Sequence, residues 1–458
     1  MVWKESEVGT WLDDLDGAER VFYNMSQAFA PFGKEHGSVY SVCKIRALPS
    51  TTAIPLETLI RDAWEALRFD FPALSVVVEG SKKKYVAATA ERRADWIEET
   101  FSIITSLSAN EIIPTLHLKR LPRLIFLPQS SEIIFHCSHW RIDALGTCMI
   151  LNRLLDLVSE GVSGCCYSQD WALEYLNLSP SLEDAFGSPQ TCSPAMEAMA
   201  ETIRRRNFET SYPSTGLPFK GDRTTPPAVS RPREMKLTLD ATKVLIAACK
   251  TRAVSVTAAI HAACADMVFQ QSNQNEHDYT TVVSANMRNH LVKPQRKTKA
   301  AYACGTYVTG ITHIVRRGDD FATRSSQLTN AYRGDWQASE YMNALRPIYK
   351  VHGDALLAVA KSGIRPPASN VTVSSLGVVD KYLRSDHRSV LVESFRLGSA
   401  IMTRQPTLYI WTFQGRLTIS VDYNEAYYSA GTIETLLSGI KGCLEGGLGL
   451  ATGLMEEA

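Results

Sequence analysis

The stretch Glu132–Leu155, EIIFHCSHWRIDALGTCMILNRLL, decides how the rest of the chain is read. Ile133, Ile134 and Phe135 form a β-branched and aromatic run that predicts a strand. Leu145, Met149, Leu151, Leu154 and Leu155 recur with helical rather than alternating spacing. Between the two lie His136-Cys-Ser-His139 and a short turn to Asp143. The segment therefore reads as strand, His-x-x-x-Asp turn, helix. An imidazole at a strand end beside a turn is rigid yet part exposed, which is the setting a general base needs. Asp143 fits equally well as the helix N-cap, with His139 a half-buried strand residue. The spacing alone leaves both readings open.

Composition narrows the classes. A chain of 458 residues has room for two domains, and 45% hydrophobic with 21% charged residues is ordinary for a globular protein. Lys plus Arg equals Asp plus Glu, at 48 each, so no bulk field draws nucleic acid or an anionic membrane. The opening MVWKESEVGTWLDDLDG lacks the apolar core of a signal peptide, and no uninterrupted apolar stretch reaches bilayer length. We expect no membrane insertion and a cytoplasmic protein. The ten cysteines include no Cys-x-x-Cys pair, and several sit in apolar segments, which predicts reduced, buried thiols. The one tight His/Cys group is His136-Cys137-His139, and strand alternation turns His136 away from His139, so no metal site is expected.

Along the chain, Trp11, Leu12, Leu15, Ala18, Val21 and Phe22 predict one or two lead-in helices within residues 1–38. Val39–Ile45 reads as a strand, Pro55–Leu67 as a helix, and the segments flanking Gly80-Ser81 as a hairpin. Ser, Pro, Gly and Thr become frequent between Cys165 and Arg233. This places an N-terminal lobe at 1–195, a linker at 196–232 and a C-terminal lobe at 233–458. In the second half, Ser255–Gln270 is an Ala-rich helix, Tyr302–Val315 a strand interrupted by two glycines, and Glu340–Ala360 a helix broken at Pro347. Thr407–Trp411 and Arg416–Tyr423 form a hairpin through Gln414-Gly415.

The HWRIDALG run resembles the His-x-x-x-Asp-Gly motif of the CoA-dependent acyltransferase superfamily, which holds chloramphenicol acetyltransferase, the BAHD acyltransferases and peptide-synthetase condensation domains. Within it the chain looks most like fungal trichothecene 15-O-acetyltransferase-like proteins of secondary metabolism. Asn177-Leu-Ser-Pro-Ser-Leu-Glu-Asp184, Lys220-Gly-Asp-Arg-Thr-Thr-Pro-Pro227 and Val256-Thr-Ala-Ala-Ile-His-Ala-Ala263 carry the likeness. So do Ala285-Asn-Met-Arg288, Tyr302-Ala-Cys-Gly-Thr-Tyr307, Ser374-Ser-Leu-Gly377 and Asp422-Tyr-Asn-Glu425, all in family order. Two positions depart from the pattern: Ala144 replaces the motif glycine, and Ser394-Phe-Arg-Leu-Gly398 keeps only Phe395 and Gly398 of the BAHD Asp-Phe-Gly-Trp-Gly.

The resemblance implies a mixed α/β fold of two chloramphenicol-acetyltransferase-like lobes around a central channel, with His139 midway. It implies direct acyl transfer, with acetyl-CoA or another acyl-CoA as co-substrate and no permanently bound cofactor. The acceptor is then a hydroxyl of a terpenoid or polyketide-like metabolite, and the protein a monomer. His139 is the implied general base, and Asp143 pairs with Arg288 to hold the loop. Thr412, Ser375 or a backbone N–H are candidate oxyanion donors, each read more readily as structural than as catalytic; Trp411 is a candidate wall of the substrate channel, and β-core describes it at least as well. Cys137 and Ser138 leave a covalent nucleophile as a minor reading. On the same scaffold a cofactor-free cyclase or pericyclase is the rival, and a non-catalytic binding protein a second one.

Overall fold

A computed structural model describes residues 3–15, 17–48, 54–117, 119–161, 170–273, 276–292, 302–334, 339–362, 368–451 and 453. Cys165 and Cys166, where the composition shift begins, lie outside the described residues. Helices and sheets are mixed throughout. In chain order the strands are β1 (Lys4–Glu7), β2 (Thr10–Asp14), β3 (Val39–Ala47), β4 (Val77–Glu79), β5 (Lys82–Val86), β6 (Phe101–Ile103), β7 (Arg123–Leu127), β8 (Glu132–Cys137), β9 (Ser230–Lys236), β10 (Tyr279–Asn286), β11 (Val308–Val315), β12 (Thr372–Val378), β13 (Val390–Ser399), β14 (Thr407–Phe413) and β15 (Arg416–Asn424).

Contacts divide the chain into two compact units. The first takes Met1–Gly187, Met287–Tyr307 and Val379–Ser399; the second takes Ser188–Asn286, Val308–Val378 and Ala400–Ala458. The stretch 196–232 that composition marks as a linker holds most of the helix Pro194–Arg205, within the second unit.

The first unit is built on a five-stranded sheet in the order β13-β3-β8-β7-β6. β8 pairs antiparallel with β3, Val39 opposite Cys137, and with β7, Arg123 opposite His136. Every residue from Ile133 to Cys137 is buried, so both faces of β8 are covered. The helix Ala144–Glu160 buries Leu145, Ile150, Leu151, Leu154, Leu155 and Val158, and ends at Gly161 in the left-handed conformation. A four-stranded sheet in the order β1-β2-β5-β4 completes the unit.

That second sheet corrects the reading of the N-terminus. Gly9, at φ +75°, turns the chain between β1 and β2, so Trp11 and Leu12 pair with β5. The apolar stripe is divided: its first part is strand, and only Gly17–Gln27 is helix.

The second unit holds a four-stranded sheet in the order β12-β14-β15-β9 and the separate antiparallel pair β10-β11. The helix Val256–Gln271 is buried from Ala258 to Ala265, and its Ala and Cys residues let neighbours approach on all sides. Only Val308–Val315 of the expected 302–315 strand is extended, because Tyr302 (φ +63°) and Gly305 (φ +136°) bend the preceding loop. The helical region near 340–360 breaks at Ala344, and Pro347 lies in the first turn of Leu345–Ser362, where a missing N–H is tolerated. Among the described residues, no single helix is long and apolar enough to cross a membrane.

Candidate active site

β8 ends at Cys137, and the chain then turns: Arg141 N donates to Ser138 O at 3.1 Å. Trp140 anchors the turn in a buried cluster with Trp3, Leu15, Val76, Tyr85 and Leu178. Asp143 starts the helix as its N-cap, accepting from Gly146 N on Oδ1 at 2.8 Å. Ala144 adopts ordinary helical backbone at the next position, so the motif glycine is not needed for this turn.

The loop Tyr302–Tyr307 clasps the turn. Gly305 N donates to Arg141 O at 2.8 Å, and Asp143 N donates to Gly305 O at 3.2 Å. Thr306, itself buried, donates Oγ1 to His139 O at 2.9 Å and to Trp140 O at 3.0 Å. Tyr307 N donates to Asp143 Oδ2 at 2.9 Å. Arg288 Nη2 donates to Asp143 Oδ1 at 2.9 Å, both side chains being buried, while its Nε donates to Tyr302 O at 3.0 Å. His139, Asp143 and Arg288 are therefore brought together in the first unit.

The His139 ring lies flat against Phe22, with centroids 4.1 Å apart and planes inclined by 2°. Its Nδ1 is buried with no well-formed hydrogen bond to another described residue, and the residue as a whole is half-buried. Burial pushes the His139 pKa below its ordinary value, opposed in part by the Asp143 charge and then by the residue's own carbonyl. The ring is thus neutral at neutral pH. Burial pushes the Cys137 thiol well up, so it stays protonated and is no nucleophile.

Ser375, Trp411 and Thr412 lie in the second unit, on the neighbouring strands β12 and β14. Ser375 and Thr257 share a hydrogen bond of 2.8 Å between their hydroxyls. Trp411 opposes Gly377 and is 1% exposed, and Thr412 is half-buried opposite Val378. Tyr423 belongs to the apolar core of the same unit.

Sequence reasoning missed Phe22, Thr306 and the clasp function of 302–307. Phe22 carried an apolar-stripe signal only, and Gly305 was the one residue within Tyr302-Ala-Cys-Gly-Thr-Tyr307 to mark an interruption of the expected strand.

No family model matches the chain. It is 40% identical over 449 residues to the O-acetyltransferase pigM of Monascus ruber, covering 97% of this chain and 87% of the relative. It is 35% identical to the azaphilone biosynthesis cluster protein M of Aspergillus terreus, covering 95% of each. The solved structure of the TRI3 trichothecene 15-O-acetyltransferase from Fusarium sporotrichioides superposes with a TM-score of 0.81 at 17% identity, covering 96% of this chain and 97% of that one, a likeness of fold. By identity and coverage the chain belongs to the family of the Monascus O-acetyltransferase, acyltransferases of fungal secondary metabolism.

Proposed function

We propose that this acyltransferase moves an acetyl group from acetyl-CoA to a hydroxyl of a polyketide-like or terpenoid metabolite, with His139 as the general base. The observation that carries the reading is the state of the His139 ring, held neutral by burial and stacked on Phe22 in a turn that Thr306 ties down at the His139 carbonyl. In this reading Nε2 takes the proton of the acceptor hydroxyl as its oxygen attacks the thioester carbonyl carbon. The tetrahedral intermediate collapses, the C–S bond breaks, and the imidazolium returns the proton to the departing CoA thiolate. One imidazole serves both steps because its near-neutral pKa lets it take up the proton and give it back at working pH. The Asp143 charge and the residue's own carbonyl favour the imidazolium that forms in between. Acyl-CoA supply fits a cytoplasmic enzyme. The cluster named for the Aspergillus relative makes hydroxylated azaphilones the first acceptors to try.

The test is CoA release from acetyl-CoA with a panel of hydroxylated azaphilones and terpenoids, for the wild type and His139→Ala. Acceptor-dependent thiol release should fall by ~100-fold or more in the variant, the scale of general-base removal, with its thermal melt unchanged. No thiol release with any acceptor, together with no calorimetric binding of acetyl-CoA, would sink the CoA reading and leave the cyclase reading in front.

A further inference from the structure

Asp143, Gly305 and Thr306 hold the His139 turn on one side. A residue that the chemistry above does not use holds it on another. Glu35 lies just before β3 and is only 3% exposed. Its Oε2 accepts from Ser138 Oγ at 3.1 Å, and its Oε1 is buried with no hydrogen-bond partner among the described residues.

Arg141, two residues past His139, is 4% exposed. Its guanidinium donates to two main-chain carbonyls, Ala73 O at 2.6 Å and Arg120 O at 3.2 Å. Those carbonyls satisfy N–H groups but carry no net charge, and a buried cation needs an anion within reach. The guanidinium also lies over the Trp140 ring, 4.4 Å from its centroid, and four titratable groups act on it: the thiols of Cys137 and Cys304, then the carboxyls of Glu35 and Glu19. Burial keeps both thiols protonated. Glu19 is already paired with Lys83 at 2.6 Å. Glu35 remains as the counter-charge not engaged by another cation among the described residues.

We propose that Glu35 is a positioning residue for His139: as a carboxylate it fixes Ser138 by hydrogen bond and balances Arg141 by charge, so that the turn between them keeps its working geometry. The inference rests on His139 being the base. Burial drives the Glu35 carboxyl up to about 7, against the Ser138 hydrogen bond and the Arg141 charge, so this anion comes and goes around neutral pH. When Glu35 is protonated, Arg141 stands as an unbalanced buried cation near His139. The Ser138–Arg141 segment that carries His139 then loses the charge that holds it.

The test follows histidine-labelled full-length protein by NMR across roughly pH 5 to 9, the span in which a histidine and a raised carboxyl titrate. The His139 signals are assigned by their loss in His139→Gln. In the wild type they should record two steps, their own and one near pH 7 from Glu35. Glu35→Gln keeps the acceptor for Ser138 but removes the charge, and should abolish that second step alone. Its kcat should fall ~10-fold with KM unchanged, within the range that misplacing a catalytic group produces, and the acid limb of its pH–kcat profile should drop from two protons to one. Ser138→Ala should lower kcat while leaving the Glu35 step in place. Glu35→Gln with wild-type His139 titration and a wild-type pH profile overturns the proposal. If Glu35→Gln does not fold, Ser138→Ala decides it: wild-type kcat and unshifted His139 signals overturn it. His139→Ala with full activity would instead remove the base reading, whatever Glu35 does.

Discussion

Asp143 has two carboxylate oxygens, and both are engaged. Oδ1 accepts from Gly146 N at 2.8 Å and from Arg288 Nη2 at 2.9 Å, and Oδ2 accepts from Tyr307 N at 2.9 Å. One side chain thus caps a helix, neutralises a buried guanidinium and ties down the 302–307 loop, so the N-cap reading and the ion-pair reading of Asp143 describe the same residue. Three donors on its two oxygens are the arrangement of a residue that shapes the turn. Asp143→Asn keeps the shape, removes the charge and points an amide N–H₂ at a donor. We expect it to cost about 3–5 kcal/mol, the scale of breaking one partner of a buried pair, measured by urea unfolding. Activity should be lost in step with the folded fraction. A variant of wild-type stability that is nonetheless inactive would move Asp143 into the chemistry.

At the scale of elements, the site is a strand–turn–helix held by a distant loop, and the contact between them is close. A Cβ on Gly146 would meet Ala303 O at 2.2 Å and Ile142 Cγ2 at 2.7 Å. Main-chain oxygen cannot swing aside as a side-chain tip can, so Gly146→Ala must push the helix and loop apart. We expect a loss of roughly 1–3 kcal/mol or more, as for overpacked cores, with reduced activity because Thr306 loses its grip on His139 O. Ala144→Gly, which restores the family's motif, should by contrast shift stability by less than about 1 kcal/mol. Paired melts of the two variants check this, and equal losses would refute the assignment of the tight contact to Gly146. The strand, turn and helix were legible because their signals are local: an apolar run, an N-cap and helical periodicity within one stretch. The clasp was not, since Tyr307 and Arg288 meet Asp143 across 164 and 145 residues of chain. The one local mark of the loop is Gly305, and it reads as an interruption within a strand rather than as a bend at φ +136°. Phe22 and Glu35 fall in a segment whose stripe reads as helix throughout, although Gly9 makes its first part a strand.

Across the whole molecule, each unit encloses a histidine that stays neutral, and this sets the acid response. Burial lowers His136, in the first unit, to about 4, helped by the Arg123 and His117 charges. Burial lowers His261, in the second, to about 3; its two nitrogens meet Tyr332 Oη at 3.0 Å and Thr281 Oγ1 at 2.9 Å. A depressed pKa means that the unfolded chain binds the proton first. The stabilisation is therefore complete above the unfolded value of 6.5 and is lost as pH falls toward the folded values of about 4 and 3. The shifts correspond to roughly 3 kcal/mol for His136 and roughly 5 kcal/mol for His261 over that window. Glu35 has the opposite sign: raised from 4.5 to about 7, it stabilises the fold below 4.5 and loses that contribution as pH rises through about 7. The net slope between these limits is thus positive, two histidines against one carboxyl. Urea unfolding at a series of pH values should show stability falling from pH 6.5 to 4 in the wild type and falling more steeply in Glu35→Gln. His136→Gln and His261→Gln should each flatten the fall by about one proton, ~1.4 kcal/mol per pH unit, each in the unfolding step of its own unit where the two separate. A slope that neither histidine variant changes would show that these rings are not the groups that set the acid limit. The opposition of signs also fits the role inferred for Glu35, because the ionised form that balances Arg141 is the form that the fold tolerates least.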